Sequence, residues 1–175
     1  PNTDTVLPPM APDQVDYEIE LAAVIGKRGR DIAVDDAWDH VAGLTLSNDV
    51  SARDLQAIAM MTPRHEMAHA KGIDGFKPLG PGVVTVDEFE LPLDILLETK
   101  VNGEVRQHEM TSDMLFDIPT SMAYVSKFFS LEPGDVLLTG SPAGVGFASQ
   151  SFLKPGDVVE LTADGVGTIT QHITA

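Results

Sequence analysis

The sequence predicts a mainly β fold with some α structure, a single domain built on a mixed, folded-over sheet. Three observations carry that prediction. Short apolar runs at strand spacing recur from Tyr17 towards the C-terminus. Only one segment, Asp117 to Ser130, keeps a clean helical period. A length of 175 residues with 43% hydrophobic side chains suits one domain with a real core.

The elements follow in chain order. Residues 1–14 hold four prolines (Pro1, Pro8, Pro9, Pro12) without periodicity, and are expected to form an extended lead-in to a domain spanning 15–175. Val15 to Gly26 (VDYEIELAAVIG) is the first strong strand. Asp35 is placed to cap a short helix through Val41, with Trp38 as packing. Leu44 to Met61 starts strand-like and runs into the helix-compatible ARDLQAIAMM. Gly80–Val86, Ile95–Val101 and Val105–Met110 read as strands, and Asn102-Gly103 joins the last two as a two-residue hairpin turn that tolerates positive φ. In the helix, Asp117 is the N-cap, Pro119 lies in the first turn, and Ile118, Met122, Val125 and Phe129 share one face. After it, LEPGDV at 131–136 is echoed by LKPGDV at 153–158. Two Pro-Gly β-turns, each opening an apolar strand (VLLTG and VVELTA), explain the echo better than a repeat architecture.

Composition excludes several function classes. Lys+Arg is 11 against Asp+Glu 27, a formal charge of −16, and that field repels nucleic acid and anionic membrane surfaces. No apolar stretch approaches the ~18–20 residues of a membrane helix, so a soluble chain is expected. The absence of Cys removes disulfides, thiolate zinc sites and a Cys nucleophile. With no signal peptide ahead of the fold, the cytoplasm is the expected compartment. Pro1-Asn2-Thr3 reads like a mid-protein connection, and a further N-terminal piece is expected before it.

The chemistry concentrates on the first strand. Alternation puts Tyr17, Ile19, Leu21, Ala23 and Ile25 on one face and Glu18, Glu20, Ala22 and Val24 on the other. The second face turns apolar directly after its two acids, as expected of a strand buried on both sides. Its two carboxylates then lie about 7 Å apart along the strand. Like charges in such a place favour a divalent metal as neutraliser. With 27 acids in the chain, chance pairing competes with that reading, and Glu88-x-Glu90 beside Pro92 is a second such pair explained by a solvated turn.

Were Asn48 to Gln56 helical throughout, Asp49, Arg53 and Gln56 would share one face at i, i+4 and i+7. That stripe suits a metal and an oxygen-rich anion together, or equally a plain surface Asp–Arg pair. His65-Glu66-Met67-Ala68-His69 formally matches the zinc-protease pattern, but Pro63, Gly72 and Gly75 leave barely two helical turns and no third ligand is evident. Leu138 to Gly146 (LTGSPAGVG) is a Gly-rich loop that meets neither nucleotide fingerprint, although its amides and hydroxyls can hold a carboxylate.

Taken in order, DYEIELAAVIGK, NDVSARDLQ, KGIDGFKPLGP, VNGEVRQ, TSDMLF, LEPGDVLLTGSPAGVGF and FLKPGDVVEL closely resemble the fumarylacetoacetate hydrolase family, in its acylpyruvase and 2-hydroxyhepta-2,4-diene-1,7-dioate isomerase-like branch. The resemblance runs from about Val15 to Gly167. It implies a mixed β-sandwich roll around a metal centre, assembled as a homodimer. Glu18, Glu20 and Asp49 match the family's metal ligands, Arg53 and Gln56 its substrate-contacting positions, and Lys71 its catalytic lysine. Ser141 stands where a substrate-contacting Thr is usual, and Gly75 where a Thr is common. The family's lid, with a His and a Glu that activate water, would lie before Pro1.

Three carboxylates favour Mg²⁺, or alternatively Mn²⁺ or Ca²⁺, over zinc. Such an ion with Lys71 could chelate a small anionic oxo acid and stabilise an enolate, with Arg53 pairing the substrate carboxylate. The first expectation is therefore hydrolysis of a C–C bond in a 2,4-dioxo acid. Decarboxylation or isomerisation in aromatic catabolism is the nearest rival, and a non-catalytic metal-binding domain the rival of another class.

Overall fold

The computed structural model describes residues 4–11, 13–61, 63 and 67–175. Two antiparallel-rich sheets form its frame, as expected of a β-sandwich roll. The first is ordered β1 (Thr5–Val6), β11 (Gly167–Thr174), β10 (Val158–Ala163), β7 (Leu96–Val101) and β8 (Glu104–Met110). Only its edge strand β1 is parallel to its neighbour, and that pairing makes the sheet mixed. The second sheet is ordered β6 (Leu79–Thr85), β4 (Val41–Asn48), β3 (Ile19–Ile25) and β9 (Val136–Leu138), all antiparallel. A two-stranded ribbon pairs β2 (Val15–Asp16) with β5 (Ser51–Ala52).

The sheets pack face to face. Leu44 and Leu46 on β4 join Leu161 and Ile169 on β10 and β11 in one fully buried cluster. β3 is central, and its side chains are buried on both faces apart from a partly exposed Val24, as the mixed apolar pattern requires. Burial of this kind is worth roughly 1.5–3 kcal/mol per large aliphatic side chain.

Several expectations are refined. The lead-in is not wholly loop, since Thr5 and Val6 add a strand beside Ile173 and Thr174. The first strand breaks at Tyr17–Glu18. There side chains take over the backbone amides: Asp16 accepts from Tyr17, Asn48 from Glu18 and Gln107 from Ile19. Asp35 lies inside the first turn of a short 3₁₀ helix, Val34–His40, which has no side-chain cap. The echoed motifs are two matching turns. Asp135 accepts from the Glu132 amide and Asp157 from the Lys154 amide, both at 2.8 Å, with Gly134 and Gly156 at φ +94° and +95°.

Among the described residues there are four α-helices: α1 (Arg53–Met61), α2 (Ala68–Lys71), α3 (Ile118–Val125) and α4 (Gly146–Ser149). α3 is shorter than its sequence period. Asp117 caps it as expected, accepting from Thr120 at 2.8 Å, but Phe129 lies beyond its end and is 55% exposed. Among the described residues, no helix is long and apolar enough to cross a membrane.

Candidate metal centre

Where the first strand breaks, its acids converge with the loop after β4. The Asp49 amide donates to the Glu18 carbonyl at 2.8 Å, which places the Asp49 carboxylate beside those of the strand. Ligand oxygens of Glu18, Glu20 and Asp49 lie within 4.8 Å of one another. Asp49 does not share a helical stripe with Arg53 and Gln56, because α1 begins at Arg53 and Asp49 precedes β5. Nor is there an Asp49–Arg53 surface pair. The Arg53 guanidinium, 7% exposed, reaches Asp16 at 2.8 Å and Glu18 at 2.6 Å, and it holds Gln56 at 2.9 Å.

Lys71, at the end of α2, bridges two of the candidate ligands, at 2.7 Å to Glu18 and 2.6 Å to Asp49. Lys77 also pairs with Asp49. Glu20 relies on a backbone donor, the Gly140 amide of the Gly-rich loop at 2.8 Å. Burial pushes Glu20 up to about 7, against that amide, and the Asp49 and Glu18 charges add to the rise. Burial also opposes ionisation of Asp49, but hydrogen bonds from Lys71 and Lys77 outweigh it and hold the group below its usual range. Lys71 is held above the ordinary lysine value: burial alone would lower it, and its two carboxylate partners prevail.

These residues fit a hard divalent cation. The donor set is all carboxylate, and four acids (Asp16, Glu18, Glu20, Asp49) face three cations (Arg53, Lys71, Lys77). The remaining expected residues sit around this centre. Ser141 is half-buried, and its hydroxyl accepts from the Gln107 side chain at 2.8 Å. The zinc-protease pattern falls partly outside the described residues, which exclude His65 and Glu66; His69 is an exposed residue of α2. Glu88 and Glu90 are exposed, as the solvated-turn reading requires.

Sequence reasoning missed three residues. Asp16 is fully buried and accepts from the Gly146 and Phe147 amides, at 2.7 and 2.8 Å, as well as from Arg53. Its signal was available, since Asp16, Glu18 and Glu20 alternate at period two. Gln107 and Lys77 carry no such spacing. The expectation that loop amides hold a carboxylate is met by the protein's own Glu20 and Asp16.

Comparison with known proteins identifies the family of the chain. The family model described as fumarylacetoacetate (FAA) hydrolase C-terminal matches residues 1–174. The chain is 44% identical over 163 residues to the oxaloacetate tautomerase YisK of Bacillus subtilis, covering 91% of this chain and 52% of that protein. It therefore spans about half the length of that curated relative. A fumarylacetoacetate hydrolase structure from Exiguobacterium antarcticum superposes with a TM-score of 0.93 at 41% identity, covering 100% of this chain and 62% of that one. The fumarylpyruvate hydrolase of Pseudomonas aeruginosa, in complex with Mn²⁺ and pyruvate, superposes with a TM-score of 0.90 at 29% identity, covering 99% and 71%. With the acidic centre and the sandwich both in place, the chain belongs to the fumarylacetoacetate hydrolase family.

Proposed function

We propose that this chain is the catalytic domain of a metal-dependent enzyme that interconverts the keto and enol forms of a small 2-oxo acid. The observation that supports it is the meeting of Glu18, Glu20 and Asp49 with Lys71, an ammonium that bridges two of the three carboxylates. The likeness to an oxaloacetate tautomerase supports enolisation as the reaction.

Glu18, Glu20 and Asp49 would hold Mg²⁺, Mn²⁺ or Ca²⁺, and the bound ion would polarise the substrate's 2-oxo oxygen as a Lewis acid. Lys71, kept charged by its partners, places a positive group where enolate charge develops. Arg53 is committed to Asp16, Glu18 and Gln56. Its part in this reading is to orient Glu18 and to present Gln56 to the substrate, rather than to offer a free fork. Gln107 donates to the Ser141 oxygen, which leaves the Ser141 hydroxyl proton free to reach a substrate oxygen.

C–C bond hydrolysis of a 2,4-dioxo acid shares the same enolate and is the second reading, favoured by the likeness to a fumarylpyruvate hydrolase. The test is to supply the enol form of oxaloacetate and, separately, an acylpyruvate, with MgCl₂ or MnCl₂ present. Loss of enol absorbance that EDTA abolishes supports the first reading. Pyruvate released from the acylpyruvate supports the second. Metal binding with neither turnover would leave a non-catalytic domain.

Assembly as a homodimer belongs to the same proposal. Leu115 and its neighbour Phe116 are 88% and 61% exposed and Phe128 is 62% exposed, large apolar side chains that a second copy of the chain would cover. Light scattering should return twice the chain mass; a monomer at high concentration would refute it.

A further inference from the structure

Lys77 has no part in the proposed reaction, yet its ammonium is built into the centre. It reaches back from the loop after α2 to donate to the Lys71 carbonyl at 2.6 Å, with the Val50 and Phe76 carbonyls at 3.4 Å. It also pairs with Oδ1 of Asp49, while Lys71 holds Oδ2 at 2.6 Å. Asp49 thus carries an ammonium on each oxygen, whereas Glu20 relies on a backbone amide.

Charge arithmetic gives this contact a consequence. With all four carboxylates Asp16, Glu18, Glu20 and Asp49 ionised, as they would be around a bound cation, Arg53 and Lys71 alone would leave two negative charges, which a divalent ion cancels. Lys77 removes one more, so the loaded centre is net positive. In a chain of formal charge −16, that local excess is what an anionic oxo acid meets at close range.

We infer that Lys77 sets the charge balance of the centre, loosening its hold on the divalent cation and turning the loaded site into a receptor for small oxo-acid anions. The inference rests on the metal-centre reading above. Lys77 acts through Asp49, as a positioning residue.

Calorimetric titration of the whole chain with MnCl₂, followed by pyruvate into the Mn²⁺-saturated protein, tests it. Lys77 is 36% exposed along its side chain, so screening keeps the effect moderate. Lys77→Met should bind Mn²⁺ about 2- to 5-fold more tightly and pyruvate about 2- to 5-fold more weakly, the worth of a partly screened ion pair. Lys77→Gln, which keeps a donor for the Lys71 carbonyl without the charge, should show the same opposed changes and decides the matter if the Met variant misfolds by circular dichroism. Lys77→Arg should return both affinities towards wild type.

Both affinities falling together would mean that Lys77 merely props the Asp49 loop, and would overturn the inference; so would unchanged Mn²⁺ binding. A wild-type chain that binds no Mn²⁺ would overturn the metal-centre reading itself, and this inference with it.

Discussion

At the scale of single residues, the centre separates groups that build it from groups that act in it. Lys71 is 22% exposed along its side chain, and its removal leaves Glu18 with Arg53 and Asp49 with Lys77. No buried charge is stranded, so Lys71→Met should unfold within a few degrees of wild type. Its turnover should fall by on the order of 10²-fold or more, as for loss of a preorganised charge at a developing oxyanion. Thermal melts and initial rates measured together check this, and an active variant would remove Lys71 from the reaction.

Arg53 behaves oppositely, because its guanidinium serves the fully buried Asp16. Lysine cannot reproduce a planar contact that reaches Asp16, Glu18 and Gln56 at once. Arg53→Lys should therefore lose about 1.5–3 kcal/mol of stability, the worth of a hydrogen bond to a charged group. Urea unfolding reads that loss. An unchanged midpoint with a raised KM would instead restore Arg53 as a direct substrate contact.

At the scale of elements, the site sits where regular structure stops. The strand containing Glu18 breaks because Asp16, Asn48 and Gln107 side chains satisfy its amides, and that break frees the carboxylates to converge. The Gly-rich loop after β9 closes over the same place. Gly144 there has φ +101°, and a Cβ would come within 1.9 Å of the Arg106 carbonyl on β8. Gly144→Ala should therefore displace the loop that carries Gly140 and Ser141, lowering both melting temperature and kcat. A variant as stable and active as wild type would show that the loop moves aside freely.

α3 shows the limit of local patterning. Its period continues to Phe129, yet the helix ends at Val125, and distant residues 30–31 take up the carbonyls of the chain just beyond it. The Asp31 amide binds the Ser126 carbonyl at 3.0 Å, and the Arg30 guanidinium reaches the Lys127 and Phe128 carbonyls at 3.2 and 3.4 Å.

Over the whole molecule, the acidic centre ties both sheets together. Glu20 on β3 meets Gly140, Asp16 meets α4, and Gln107 on β8 meets Ser141. A cation bound there stabilises the native state by mass action. MnCl₂ at about a hundred times its dissociation constant should add about 2.7 kcal/mol and raise the melting temperature by about 5–10 °C in a chain of this size. Glu20→Gln should abolish most of that rise. An equal rise in wild type and variant would place the ion elsewhere among the 27 acidic residues.

What the sequence determined by itself was local. Period-two alternation marked β3 as buried on both faces and set Glu18 and Glu20 on one side. The Asn102-Gly103 turn and the two Pro-Gly turns located strand ends, and a run of motifs marked the family. What only the tertiary structure decided was which distant groups meet. Glu18 meets Lys71 across 53 positions, Glu20 meets Gly140 across 120 and Asp16 meets Gly146 across 130. The i, i+4, i+7 stripe through Asp49, Arg53 and Gln56 dissolved because the chain turns through β5 before the helix begins. Lys77 and Gln107 lie within the motifs KGIDGFKPLGP and VNGEVRQ, but no spacing marked either as part of the site. The reason is physical: alternation and turn chemistry are properties of a few adjacent φ and ψ angles. An ion pair between remote residues exists only once the sheets have closed and excluded water around it.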